Sequence, residues 1–226
     1  MQGGGYNLDG TGGHLLYWQS VQKELAAAGK SLSFLYVAYT LAPQASYPRQ
    51  LQECVEGLQY LLGECGRKPS EILIAGDSAG GNMSLAILSH LSHPAPDVAE
   101  VKLDRPLKAA LLLSPWVSFS IEWPSFKANR HKDIIAIDKP VLWSSNYLGG
   151  KPSDYYTEPI HADSKWWEGA KVEQLLCVAG TDEVLVDQIN VLMKTYTVRI
   201  WPWKSYLQRS DAQIGRKPQQ HNVCDC

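Results

Sequence analysis

The stretch Ile72-Leu73-Ile74-Ala75-Gly76-Asp77-Ser78-Ala79-Gly80-Gly81 constrains this chain more than any other. An apolar run from Glu71 to Ala75 ends at a Gly-x-Ser-x-Gly, and the helix-forming run Asn82 to Leu88 follows without a linker. A strand that turns this sharply into a helix holds its serine in a strained conformation above the sheet edge, the arrangement known as a nucleophile elbow. Gly76 and Gly80 suit that turn, because side chains two residues to either side of Ser78 would meet neighbouring backbone. Bare, the pattern is common by chance; the strand before it and the helix after it give it weight.

The remaining chain alternates between helix and strand signals. His14 to Ala28 reads as a helix with Leu15, Leu16, Trp18, Val21 and Leu25 sharing a face, stopped at Gly29. Ser31 to Ala38 reads as a buried strand, and Pro48 opens a helix through Leu62 with Leu51, Val55, Leu58 and Leu62 on one side. After the elbow helix, Pro94 and Pro96 break the chain. Leu107 to Ser114 and Val172 to Ala179 then read as strands, Val184 to Met193 as a helix, and Thr197 to Trp201 as a further strand. This order predicts an α/β fold, a mostly parallel sheet with helices on both faces.

Between about residues 116 and 170 the tryptophans Trp116, Trp123, Trp143, Trp166 and Trp167 are interleaved with prolines. Such an aromatic-rich insertion after a strand either roofs a pocket or packs on an irregular surface. The expected organisation is one domain over residues 1–201, followed by a polar tail over 202–226 without regular structure. A net charge of -2, with no dense basic run, argues against a nucleic-acid partner. No apolar run is long enough to cross a bilayer, no leader is visible, and the five cysteines form no disulfide framework, so a reducing cytoplasm is the default expectation. No metal or other cofactor is expected: Cys224 and Cys226 stand on a tail without partners, and His90 with His93 would need further ligands.

Acyl transfer requires a nucleophile, a base, an acid that orients the base, and donors for the oxyanion. Ser78 supplies the first, and the backbone N–H of Ala79 one donor. The Gly3-Gly4-Gly5 run offers further N–H groups, unless it is simply a flexible terminus. An acid just beyond a strand belongs in a triad, and Gly180-Thr181-Asp182-Glu183-Val184-Leu185-Val186-Asp187 provides several, although acids also favour a helix start. Of the six histidines only His221 follows that segment and so fits the order serine, acid, histidine. His14 adjoins the glycine run, His90 and His93 close the elbow helix, and His131 and His161 lie in the insertion.

As an ordered set, these residues resemble the hormone-sensitive-lipase-like branch of the α/β-hydrolases, the fold-3 carboxylesterases, and within it the fungal proteins. The resemblance is carried by Gly76-Asp77-Ser78-Ala79-Gly80-Gly81-Asn82 and by Gln2-Gly3-Gly4-Gly5-Tyr6, which is similar to the family's His-Gly-Gly-Gly loop. Tyr39-Thr40-Leu41-Ala42-Pro43, Ser114-Pro115-Trp116-Val117 and the segment 182 to 187 extend it over roughly residues 1 to 190. It implies an α/β-hydrolase fold acting on a small-molecule ester, with Ser78 as nucleophile, Gly4, Gly5 and Ala79 as oxyanion donors, and no cofactor. It further implies Glu183 as the acid, four residues before Asp187, with Asp182 as the alternative.

Two departures from the family stand out. The glycine loop begins at the first residue, where the family places sheet strands and a cap, and the histidine expected after the last strand is absent from Trp201-Pro202-Trp203-Lys204-Ser205-Tyr206. The fold is therefore expected to be incomplete at both ends. Two functions are expected from the sequence: a serine carboxylesterase whose base is His221, or an inactive, ligand-binding remnant of one. Nothing in the sequence indicates an oligomeric state.

Overall fold

The strand signals around the elbow become a ladder because each finds a neighbour of the same direction. A computed structural model describes residues 1–197 and 203–208. It contains a four-stranded sheet in the order β1 (Leu73–Asp77), β2 (Ala109–Leu113), β3 (Leu175–Gly180) and β4 (Trp203–Gln208). Every pair is parallel, with Ala75 opposite Leu111, Leu112 opposite Cys177, and Gly180 opposite Gln208. Parallel neighbours need crossovers, and α3 (Ala79–Ser92) leads from β1 towards β2 while α6 (Val186–Thr197) leads from β3 towards β4. All carboxyl ends of the strands therefore open on one edge, where ligands of α/β proteins bind.

The core gathers on α3, which packs on β1 and β2 and buries every residue from Ala79 to Leu91. The helix α2 (Arg49–Leu62) lies against it and buries Leu51, Val55 and Leu58, three of the four residues expected on its apolar side. The insertion folds as α4 (Pro124–Ala128), α5 (Lys139–Leu148) and loops, with Trp116 and Trp167 buried and Trp123, Trp143 and Trp166 packed against the core. Cys54 and Cys177 are buried free thiols, each pushed up to about 12 chiefly by burial. Among the described residues no helix is long and apolar enough to cross a membrane.

Three expectations change. The first helix forms as α1 (Gly12–Ala27), yet none of its residues is buried, and Leu15, Leu16 and Tyr17 are exposed. Ser31 to Ala38 is not a strand: β1 ends the described sheet on that side, so the segment has no ladder to join and leaves Phe34 and Leu35 exposed. A strand stands at Trp203–Gln208, within the stretch expected to lack regular structure, because the free side of β3 accepts it; of the strand expected over 197 to 201, Thr197 ends α6 and the rest lies outside the described residues. Residues 198–202 and 209–226, and with them His221, lie outside the described residues.

Candidate active site

Ser78 stands where β1 ends and α3 begins, with φ +50°, the left-handed region that a non-glycine residue enters only when its surroundings impose it. Both sides of its backbone are held: its N–H donates to Leu113 O at 2.9 Å, and its carbonyl accepts from Trp116 N–H at 3.0 Å. No side chain fits at Gly76, where a Cβ would strike the Gly80 carbonyl and lie 2.8 Å from Gly81 N. Ala79 begins α3, so its N–H has no acceptor within the helix and is available to an anion.

The glycine run is not a loose terminus. Its first residues cross the start of α3 so closely that a Cβ on Gly80 would meet the Met1 carbonyl. Gly3 N–H donates to Asp77 Oδ1 at 3.0 Å, and Gly4 and Gly5 have φ +109° and +60°. Gln2, standing where the family has histidine, is buried and takes up the anchoring. Its carbonyl accepts from the Tyr39 hydroxyl at 2.8 Å and its side-chain oxygen from Tyr36 at 2.7 Å. Tyr6 closes the run: its ring stacks on Tyr147 at 3.8 Å and its hydroxyl donates to Asn82 Oδ1 at 2.6 Å. On the insertion side, Trp143 lies over Gly5, with Cγ only 2.9 Å from where a Cβ would be.

At the end of β3 the two candidate acids separate. Asp182 is paired with Lys132 at 2.8 Å near the surface. Glu183 is partly buried and turns back to the sheet, where its Oε1 accepts from Ser114 Oγ and from Gly180 N–H, each at 2.7 Å. Its Oε2 is buried without a hydrogen-bond partner among the described residues. Burial raises the Glu183 carboxyl above its ordinary range and Asp133 adds to this, while the bonds from Ser114 and Gly180 act in the opposite direction. The acid loop is held from the insertion. Asn129 Nδ2 donates to Glu183 O at 2.8 Å, Val184 N–H to Asp133 Oδ2 at 2.7 Å, and Ser125 N–H to Asp187 Oδ2 at 2.7 Å.

The partners of the five described histidines include neither Ser78 nor Glu183. His14 Nε2 lies 3.4 Å from Asp77 Oδ2, and His90 Nε2 is 2.9 Å from Ala99 O. His93 stacks on Trp166, His131 accepts from Arg130, and His161 lies near Glu158. No group of three or more His, Cys, Asp or Glu side chains placed to hold a metal occurs among the described residues. Sequence reasoning gave no role to Asn82, Ser114, Asp77, Asn129 or Asp133. Asn82 had a readable signal, an amide near the start of an otherwise apolar helix; Ser114 was marked only as part of the run Ser114-Pro115-Trp116-Val117, and its bond to Glu183 could not be read there because that partner follows a different strand.

A serine at a strained strand-to-helix turn, on the carboxyl edge of a parallel sheet and backed by a glycine loop, defines the hydrolase class of α/β proteins. Residues 1–199 match the family described as alpha/beta hydrolase fold, and the chain belongs to it, in the fold-3 carboxylesterase branch. The carboxylesterase/phospholipase LipF of Mycobacterium tuberculosis is 28% identical over 183 residues, 76% of this chain and 46% of that protein. An esterase of Acinetobacter venetianus is 27% identical over 164 residues, 71% of this chain and 50% of that protein. Among solved structures, an esterase from the bacterial hormone-sensitive lipase family superposes with a TM-score of 0.70 at 27% identity, covering 92% of this chain and 64% of its own. This chain thus spans about half the length of the curated relatives it matches. By ancestry it is a hydrolase.

Proposed function

We propose that this chain is a serine hydrolase of carboxylic esters. Ser78 Oγ attacks the ester carbonyl, forming the acyl-enzyme and expelling the alcohol, and water then releases the acid. Gly4, Gly5 and Ala79 N–H groups hold the oxyanion, Glu183 orients the base, and His221 is that base. The carrying observation is the Glu183 carboxylate, with one oxygen tied to Ser114 and Gly180 and the other buried without a partner among the described residues. An acceptor desolvated in this way is costly unless a donor such as an imidazole N–H meets it. The order of the chain supports His221, since β4 runs parallel to β3 and ends opposite Gly180, three residues before the acid. The substrate is a small ester with an apolar acyl or alcohol group, in keeping with Trp143 over Gly5 and Trp116 beside it at 6.5 Å between ring centroids. Free thiols at Cys54, Cys65 and Cys177 suit a reducing cytoplasm.

The test is release of p-nitrophenol from short-chain esters, together with labelling by a fluorophosphonate. Turnover and labelling that both vanish in Ser78→Ala, a loss of at least about four orders of magnitude in kcat/KM, are expected. Equal rates in the two proteins would remove Ser78 from the mechanism. A second reading, an inactive ligand-binding remnant, draws on the partners of the five described histidines, which include neither Ser78 nor Glu183. It predicts no labelling of the parent chain at Ser78, and His221→Ala then leaves every measured property unchanged.

A further inference from the structure

The strand between the nucleophile and the acid is β2, and its last residue together with the segment just after it touches both. Leu113 O accepts from Ser78 N–H at 2.9 Å and Trp116 N–H donates to Ser78 O at 3.0 Å, so this segment grips the elbow on either side. Between those two contacts Ser114 turns the other way. Its N–H donates to Val178 O on β3 at 2.7 Å, and its Oγ donates to Glu183 Oε1 at 2.7 Å. Its backbone has φ +44°, although the following Pro115 disfavours any conformation but an extended one. A non-glycine residue stays in that region only where its surroundings over-determine its geometry.

We propose that Ser114 is a positioning residue for the acid: with Gly180 N–H, its hydroxyl fixes Oε1 of Glu183 and leaves Oε2 as the only oxygen for the base. The inference rests on Glu183 being the acid of the proposed hydrolase. Two donors on one oxygen prevent the carboxylate from rotating, and they favour its charged form against the burial that opposes it. The other charged and titratable groups around it are Asp133, which opposes its ionisation, Cys177 on β3, and the Lys132–Asp182 pair of the same loop. Among the described residues, Ser114 is the one side chain that donates to Glu183 Oε1, the other donor being backbone. Because it stands on the segment that also holds Ser78, one short stretch at the end of β2 and just beyond it sets the spacing between nucleophile and acid.

Ser114→Ala removes the hydroxyl and keeps the strained backbone; Ser114→Gly removes the hydroxyl and relieves the strain. The full chain, with carbon-13 in its glutamate carboxyls and the Glu183 signal assigned through Glu183→Gln, is titrated by NMR. Loss of a bond to a charged group is expected to move the Glu183 titration to higher pH by about one unit in both variants. In active protein the acid limb of the kcat/KM profile moves the same way, because a more basic carboxylate also raises its histidine. An unmoved titration in both variants overturns the proposal, as does a Ser114→Gly protein that titrates like the parent, which would assign Ser114 a backbone role alone. The titration needs no turnover, so an inert parent chain would sink the esterase reading while leaving the role of Ser114 to be decided by the NMR.

Discussion

The elbow helix α3 and the front helix α1 are of similar length, 14 and 16 residues, and both carry leucines at positions that suggest a buried face. They meet opposite fates. On α3, which packs on β1 and β2, Leu85, Leu88 and Leu91 are buried, whereas on α1 Leu15 and Leu16 are 56% and 64% exposed. The difference is not in the helices but in what stands beside them. A sheet receives α3, while α1 buries none of its residues against any described element. Amphipathic spacing tells which side of a helix can be buried; it does not supply the surface that buries it.

This contrast can be broken in order of expected effect. Gly76→Ala should be the most severe change, because the new methyl meets the Gly80 carbonyl and the backbone of α3 cannot yield; little folded protein is expected in a soluble-expression assay. Leu88→Ala empties a fully buried position and should cost about 3 kcal/mol in urea denaturation. Leu16→Ala, the same substitution on the exposed helix, should change stability by no more than about 0.5 kcal/mol. A loss at Leu16 matching that at Leu88 would mean that something covers α1 in solution.

A subtler comparison concerns Glu183 and the price of a poised carboxylate. Its folded form holds the proton more tightly than an unfolded glutamate, chiefly because of burial. Such a group contributes stability that is fully present below the unfolded pKa and is lost as pH rises through the folded one. Glu183→Gln does not ionise, so its stability relative to the parent should increase between about pH 4 and neutrality. Paired thermal melts across that window measure it. A relative stability that stays level with pH would mean that Glu183 is not held against its charge.

Local signals were the legible part. The elbow at Gly76–Gly80, the glycine run at Gly3–Gly5 and the strands β1, β2 and β3 were all marked by their own residue types. The choice between Glu183 and Asp182 was open on spacing alone. Neighbours in the chain, they differ through partners drawn from other elements: Ser114 and Gly180 for one, Lys132 for the other. The strand β4 was hidden for the same reason, since Trp203–Gln208 has no clear period of its own and becomes a strand by pairing with β3.

By itself, then, the sequence determined where the backbone must turn sharply, because glycine spacing and apolar runs act through sterics within a few residues. Tertiary structure alone decided which apolar faces were covered and which carboxylate met the hydroxyl of Ser114 at the end of β2. Those outcomes depend on atoms far apart in the chain, such as Ser114 and Glu183, that only the parallel ordering of β1, β2 and β3 brings within hydrogen-bond reach.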